Sequence, residues 1–499
     1  MGKGEKPVAS THESKAPSKK GADDSTLGIT AKKAADFAEW YPQVVLKAEL
    51  ADYSPVKGCM VIRPRGYAIW EAIQRQFQKR LDALNVRNAY FPLFIPESFF
   101  KKEAKHAEGF RPEVAWIERE GDGERLAVRP TSETIMYDMY SKWIRSHRDL
   151  PLRINQWCNV VRWETSQTRL FLRTREFLWQ EGHCVYATQA ECDVEVKMMI
   201  EEYKALVEGL LAIPVIIGTK TEHEKFAGAH YTLTIEAFMP DGRALQCGTS
   251  HNLGQGFAEA FGISFLGEDG QSHRPWQSSW GFSTRLIGAL VMVHGDDKGL
   301  VLPPNAAREQ AVIVPILFDD SKDAVLAECR ALQKALTEDG IRAFVDDRVG
   351  YNPGWKYNEW ELKGVPLRIE LGPKDLAKKQ AVLVRRNDGH KTMTPLGSIR
   401  AAVHQELEVI QQSLFARAKE HLDASIVQVS NKDEFIAAIE ARKLVLAPFC
   451  CDSAVEDEIK EQTGATCRCI PINETPVSGQ RCFWTSKKAT HYVYFARAY

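Results

Sequence analysis

No apolar run in this 499-residue chain approaches the roughly 20 residues that span a bilayer, which excludes a membrane-spanning role. The first 26 residues, MGKGEKPVASTHESKAPSKKGADDST, hold no hydrophobic centre, so the expectation there is a disordered lysine-rich tail and not a secretory signal. Net charge is nearly missing as well: 65 Lys and Arg stand against 66 Asp and Glu, giving -1. With no global basic field, a nucleic-acid partner has to use a local patch. Cysteine pairs at metal-ligand spacing are absent too, the close pairs being only Cys450-Cys451 and Cys467-Arg-Cys469. Eleven cysteines are scattered and no CxxC occurs, so zinc is not expected from spacing. Free thiols in so large a chain point to a reducing compartment, the cytosol.

What is present is length enough for about three domains, and one dense stretch. PLRINQWCNVVRWETSQTRLFLRTREFLWQEGH, from Pro151, reads as a strand, a polar crossing at Thr165, Ser166, Gln167 and Thr168, and a returning strand. Strand side chains alternate between faces, so Arg162 and Glu164 share one side of the first run, and Arg173, Arg175, Phe177 and Trp179 one side of the second. Guanidinium groups, a carboxylate and aromatic rings facing a common space suit a nucleotide. Planar cations match the triphosphate, a ring stacks on adenine, and a carboxylate accepts from its amine. A half-buried hairpin with surface ion pairs is the plainer reading of any single Arg/Glu pair. The ordered set Arg162, Glu164, loop, Arg173, Phe177 nevertheless resembles motif 2 of the class II aminoacyl-tRNA synthetases. The wording FLRTREFLWQEGH is similar to the prolyl-tRNA synthetases of eukaryotic and archaeal type.

In chain order, Ile69, Ile73, Phe77, Leu81 and Leu84 predict an amphipathic helix with one buried face. NAYFPLFIPES follows as a short edge strand holding Pro92 and Pro96. By resemblance this pair is motif 1, which implies a homodimer. LAVRPTSET then leads into a helix, where Thr131 or Ser132 would serve as an ordinary cap. The resemblance instead makes it the loop holding L-proline, with Thr131 and Glu133 receiving the secondary ammonium. Thr188 and Glu191 form a capping box opening a long helix. PVIIGTK, YTLTIEAFM and GRALQC read as strands, the last two joined by Pro240, Asp241 and Gly242. GTSHNLGQGF comes off the last strand as a loop. By resemblance Gln246 and Thr249 there face ATP and its Mg²⁺, and His251 faces the amino acid; Cys247 stands where glycine is usual. A helix beginning near Ser283, with Arg285 in its first turn, offers amide donors and a cation to phosphate. That segment resembles motif 3.

The resemblance therefore implies an α+β and α/β multidomain fold: an antiparallel-sheet catalytic core at 27–305, an α/β anticodon-binding domain at 306–405, and a small zinc-binding-like α/β domain at 406–499. It implies prolyl-adenylate formation and transfer to tRNA(Pro), with Arg162 and Arg285 catalytic. ATP falls to Arg162, Glu164, Arg173, Thr174, Phe177, Gln246, Thr249, Ser283 and Arg285, and proline to Thr131, Glu133, Arg162, Trp179 and His251. Arg348, Lys356, Lys363, Lys374, Arg385 and Arg386, interleaved with Trp355 and Trp360, are expected as a basic face for tRNA. Of the four cysteines that hold zinc in relatives, only Cys450 and Cys482 stand in place, with Val455 and Trp484 in the others. The rivals are a catalytically dead tRNA sensor, which should have lost the arginines, and a threonine, serine or glycine enzyme; the first of these would need zinc ligands in its pocket. Since some 100 residues separate Trp179 from Trp280 and all read as core elements, no editing domain is expected in cis.

Overall fold

A computed structural model describes residues 28–103, 114–118, 123–163, 167–473 and 477–499. The expected tail at 1–26 and Glu164, Thr165 and Ser166 lie outside the described residues.

The helix foreseen from its four-residue steps is α1, Pro64–Ala83, with Ile69, Ile73, Phe77 and Leu81 all buried. Phe77 meets Trp157, Tyr203 and Phe282 at centroid distances of 6.3, 5.3 and 5.1 Å. Truncating it to Ala in so tight a cluster should cost about 3–5 kcal/mol. The following stretch is not one strand. Arg87–Asn88 and Phe94–Pro96 pair separately, and Pro92 lies between them because it has no amide to donate.

Next come α2, Glu133–Trp143, then the paired strands β1, Leu152–Val161, and β2, Glu176–Tyr186. Helix α3, Gln189–Leu211, opens on the expected box, with Thr188 accepting from the Glu191 amide and Glu191 from the Thr188 amide. Strands β3, Ile216–Thr219, β4, Tyr231–Phe238, β5, Arg243–Gly254, and β6, Trp276–Ser283, continue the sheet, and α4, Arg285–His294, closes the core. The expected loop after Gly248 is in fact strand, since β5 runs on to Gly254. Its register against β4 slips once: Gly248 faces Ile235 while Gln246 faces Glu236, which leaves Cys247 as the extra residue of a bulge. The helices α1, α3 and α4 cover one face of this sheet. Gly182 on that face is required, because a Cβ there would stand 2.1 Å from the Trp280 ring.

A second, mixed sheet holds β7, Ala311–Pro315, β8, Ala343–Val345, β9, Leu367–Leu371, β10, Gln380–Arg385, and β11, Lys391–Pro395, in the order β8-β7-β9-β10-β11. Helices α5, Lys322–Glu338, and α6, Pro353–Leu362, complete the unit. Helix α7, Ile399–Ser425, crosses the boundary expected at 405/406. Its first half packs in the anticodon-type core through Val403, Leu407 and Ile410, and Leu422 packs beyond it.

The C-terminal strands are not a separate sheet. β12, Ile426–Gln428, β13, Leu444–Phe449, β14, Ala465–Pro471, and β15, His491–Ala498, join the core strands in one 11-stranded sheet among the described residues, ordered β12-β13-β15-β14-β3-β4-β5-β6-β2-β1 and then Arg87–Asn88. Helix α8, Ser453–Thr463, packs on β14. Val455 and Trp484 lie in an apolar cluster with Phe435, Phe449, Phe483 and Phe495, while the Cys450 and Cys482 thiols lie within hydrogen-bonding reach of each other.

Candidate active site

The period of a strand builds the site. On β2, Phe177, Trp179, Glu181 and His183 line one cavity of about 330 Å³, as do Ser279, Gly281 and Ser283 on β6. Gln246, Thr249 and His251 reach it from β5, the bulge at Cys247 absorbing the odd step between Gln246 and Thr249. Thr131 and Glu133 enter from the start of α2, Arg162 from just past β1, and Arg285 from the start of α4. The Arg162 guanidinium carbon stands 5.6 Å from the ring centroids of both Phe177 and Trp179. Its Nε donates to Pro130 O at 3.3 Å, which ties the arginine to the Thr131 segment. Arg285 donates from Nε to Leu172 O at 3.2 Å. Burial and the neighbouring Arg162 charge hold its pKa below the ordinary arginine value.

Ser132 does not cap α2 with its side chain. It hydrogen-bonds Glu181, while Thr131 hydrogen-bonds Glu133. Glu181 Oε2 lies 3.0 Å from His183 Nε2, and the Tyr137 hydroxyl lies 3.0 Å from His183 Nδ1. Burial works against charge at His183, but the Glu181 hydrogen bond and the Glu133 carboxylate outweigh it, so its pKa is raised. Glu181 is correspondingly lowered: burial opposes its charge, and the His183, Ser132 and Gln156 hydrogen bonds prevail. His251 behaves oppositely. Burial, with the His183 and Lys220 charges, pushes it down to about 3. Its neutral ring meets Thr232 Oγ1 at 2.9 Å and Phe226 at a 4.8 Å centroid distance. The cavity thus joins aromatic rings and guanidinium groups with the Glu133 carboxylate and a neutral imidazole.

Ten of the residues singled out from the sequence meet in this cavity: Thr131, Glu133, Arg162, Phe177, Trp179, Gln246, Thr249, His251, Ser283 and Arg285. Arg173 and Thr174 are not in its lining. β2 begins only at Glu176, so residues 169–173 form a turn, closed by Arg169 N donating to Arg173 O at 2.7 Å. That turn buries Leu170, Phe171 and Leu172 and exposes Arg173. Thr174 spends its hydroxyl on Glu176 O at 2.8 Å. Glu164 lies outside the described residues. Glu181, His183, Lys220, Phe226, Thr232 and Ser279 were not foreseen. For Glu181 and His183 the signal was available, since they continue the alternation of Phe177 and Trp179.

The expected basic face does not exist as drawn. Lys356 is buried and donates to Asp346 O at 2.8 Å, and Trp360 is buried with Nε1 on Asp346 Oδ2 at 2.8 Å. Lys363 pairs with Glu359 at 2.7 Å and Glu49 at 3.4 Å. Arg386 is clamped on Asp296 at 2.7 and 2.6 Å, and Arg385 pairs with Glu406. Arg348 also meets Asp346 and Glu359, yet it stays part-exposed over Tyr351 and Trp355, whose rings stack at 4.1 Å. Carboxylates neutralise most of the cations, Asp346 and Glu359 from nearby in the sequence and Asp296, Glu49 and Glu406 from farther away.

Comparison with known proteins accords with this geometry. A family model described as tRNA synthetase class II core domain (G, H, P, S and T) matches residues 116–294. An anticodon binding domain model matches 310–406, and a model for the C-terminal part of prolyl-tRNA synthetase matches 432–499. The proline-tRNA ligase of Alkaliphilus oremlandii is 51% identical over 468 residues, covering 93% of this chain and 96% of that protein. That of Cenarchaeum symbiosum is 50% identical over 477 residues, 95% of this chain and 100% of the relative. The cytoplasmic proline-tRNA ligase of Arabidopsis thaliana is 47% identical over 487 residues, 95% of this chain and 92% of the relative. With a core, an anticodon unit and a C-terminal unit all matched in order, the chain belongs to the proline-tRNA ligase family of class II aminoacyl-tRNA synthetases.

Proposed function

We propose that the cavity activates L-proline with ATP and that the chain then transfers the prolyl group to tRNA(Pro). The observation that carries this reading is Arg162, flanked by Phe177 and Trp179 in the same cavity as Glu133 and His251. In the first step a proline carboxylate oxygen forms a bond to the α-phosphorus as the bond to pyrophosphate breaks. In the second, the terminal ribose hydroxyl of tRNA attacks the acyl carbon and AMP leaves. Neither step uses a protein nucleophile, so catalysis rests on positioning and on charge stabilisation. Arg162 bridges the carboxylate and the α-phosphate, Arg285 takes the outer phosphates, Phe177 stacks on adenine, and Glu164 accepts from its amine. Gln246 and Thr249, with Ser283, face the nucleotide. Mg²⁺ carried by the triphosphate neutralises phosphate charge, and the Gln246 amide oxygen is the group suited to meet it. Glu133 and Thr131 receive the ammonium, and Trp179 and His251 wall the ring. Pyrophosphate exchange measured against a panel of amino acids tests the reading: exchange should depend on proline, and equal exchange with threonine, serine or glycine would overturn it.

The residues between β2 and β6 form α3, β3, β4, β5 and short pieces that complete the core, which supports the absence of an editing domain in cis. Hydrolysis of alanyl-tRNA(Pro) by the chain would contradict that. Tyr53, Tyr67, Tyr90 and Phe94, exposed on and around α1 at 63, 41, 71 and 47%, support a homodimer through this region, which light scattering would test. For tRNA, Arg348 and Trp355 are the part of the expected set that keeps an accessible stacking surface, with Tyr351, not among the expected residues, stacked beside them. The cytoplasmic label of the Arabidopsis relative supports a cytoplasmic location.

A further inference from the structure

The loop between β3 and β4 holds chemistry that the reaction above does not use. Its Glu224 and Phe226 line the cavity. On its outer side it meets α8 of the C-terminal unit, where Thr221 Oγ1 donates to Glu456 Oε2 at 3.0 Å. Glu456 is only 5% exposed; its Oε1 is buried with no nitrogen or oxygen partner among the described residues, and the Cys467 thiol is the weak donor beside the carboxylate. A buried carboxylate oxygen left in that state is costly unless a cation completes it. Beside it, a ring nitrogen of His223, a carboxylate oxygen of Glu224 and one of Glu456 all lie within 4.8 Å of one another. Tetrahedral ligands held about 2.1 Å from one metal ion stand about 3.4 Å apart, so the three side chains would close on a bound ion by up to about 1.4 Å, a shift within reach of their rotamers. Lys225, in the same loop, is engaged by Glu222 at 2.6 Å. Asp457 Oδ1 lies 3.3 Å from His223 Nε2 and adds negative charge beside the imidazole.

We propose that His223, Glu224 and Glu456 bind one divalent cation of the zinc class, which staples the cavity loop to the C-terminal unit. One imidazole and two carboxylates with an open fourth position are a donor set that Zn²⁺ accepts. The site is distinct from the Cys450 and Cys482 pair. The chain, stripped with EDTA and dialysed, is titrated with Zn²⁺ alone against a chromophoric chelator, and the retained metal is counted by elemental analysis. The Cys450→Ser/Cys482→Ser background removes the thiol pair from the count. One zinc per chain should bind in that background, with affinity falling about 10- to 100-fold in His223→Ala and in Glu456→Gln. Zn²⁺ should also raise the Tm of the background protein but not that of either variant. His223 is exposed, so its variant reports on the metal even if Glu456→Gln folds poorly. Zinc that survives His223→Ala, that vanishes with the two cysteines, or that fails to bind at micromolar concentration overturns the proposal. These counts do not depend on the identity of the amino acid activated. Because Phe226 packs on His251, loss of zinc should further raise KM for proline, a consequence that does rest on the function proposed above.

Discussion

Arg468 donates from both Nε and Nη2 to a single oxygen of Glu236, at 3.1 and 2.8 Å, across the junction between the C-terminal strands and the catalytic sheet. Both residues are buried, and the other oxygen of Glu236 accepts from Lys220 Nζ at 2.8 Å. Lys220 also donates to Arg468 O at 2.8 Å and lines the cavity. The C-terminal unit is therefore joined to the site both through this carboxylate and through the Lys220 bond to the Arg468 carbonyl. Removing one partner of a buried pair typically costs about 3–5 kcal/mol. Arg468→Met should lose stability of that order in urea denaturation; a loss below about 1 kcal/mol would mean the pair behaves like an exposed one.

What the sequence disclosed was what neighbouring residues decide. The steps of Ile69, Ile73, Phe77 and Leu81, the Thr188 and Glu191 box, and the Pro240 to Gly242 turn are local, and each is present. The cavity residues followed from strand period and from resemblance together. What stayed hidden depends on distant partners. Lys356 and Trp360 look like a nucleic-acid surface until Asp346 arrives between them, and Arg386 until Asp296 does. Nor does local pattern reveal that β14 pairs with β3, because the edge of one sheet and the edge of another read alike before they meet.

Arg162→Lys should not be a mild change. A planar guanidinium fits between two rings and grips oxygen with paired donors, whereas an ammonium is a compact point charge. Losing one such donor to a developing negative charge costs about 10²- to 10³-fold in turnover. Proline-dependent exchange should fall by that order while the melting temperature stays close to wild type, since lysine keeps both the positive charge and an apolar stem in the same place. Exchange within about threefold of wild type would remove Arg162 from the chemistry.

Glu133→Gln separates the two substrates. Its carboxylate lines the cavity and is hydrogen-bonded to Thr131, and in the function proposed above it receives the ammonium of proline. Hydrogen bonds to a charged group are worth about 1.5–3 kcal/mol, so KM for proline should rise about 10- to 100-fold. KM for ATP should change by less than about twofold. An equal rise in both constants would place Glu133 in general support of the cavity and not at the ammonium.

Acid stability should report on His294. Its Nε2 donates to Leu211 O at 2.8 Å, and its Nδ1 is buried with no partner among the described residues, so the fold is built around the neutral ring. Burial, aided by the Arg417 and Lys33 charges and opposed by the Leu211 bond, pushes its pKa down to about 3, against about 6.5 for an exposed histidine. A depressed pKa gives stability that is complete above the unfolded value and is lost as pH falls toward the folded one. Each pH unit below 6.5 should therefore cost about 1.4 kcal/mol from this residue. His251 acts in the same direction, while His183, whose pKa is raised, opposes them. His294→Gln retains a donor for Leu211 O and removes one titrating group. Urea midpoints at pH 7.5, 6.5 and 5.5 should show the wild type losing about 1 kcal/mol more than the variant between the last two. Parallel losses in both proteins would mean that His294 takes up a proton in the folded state.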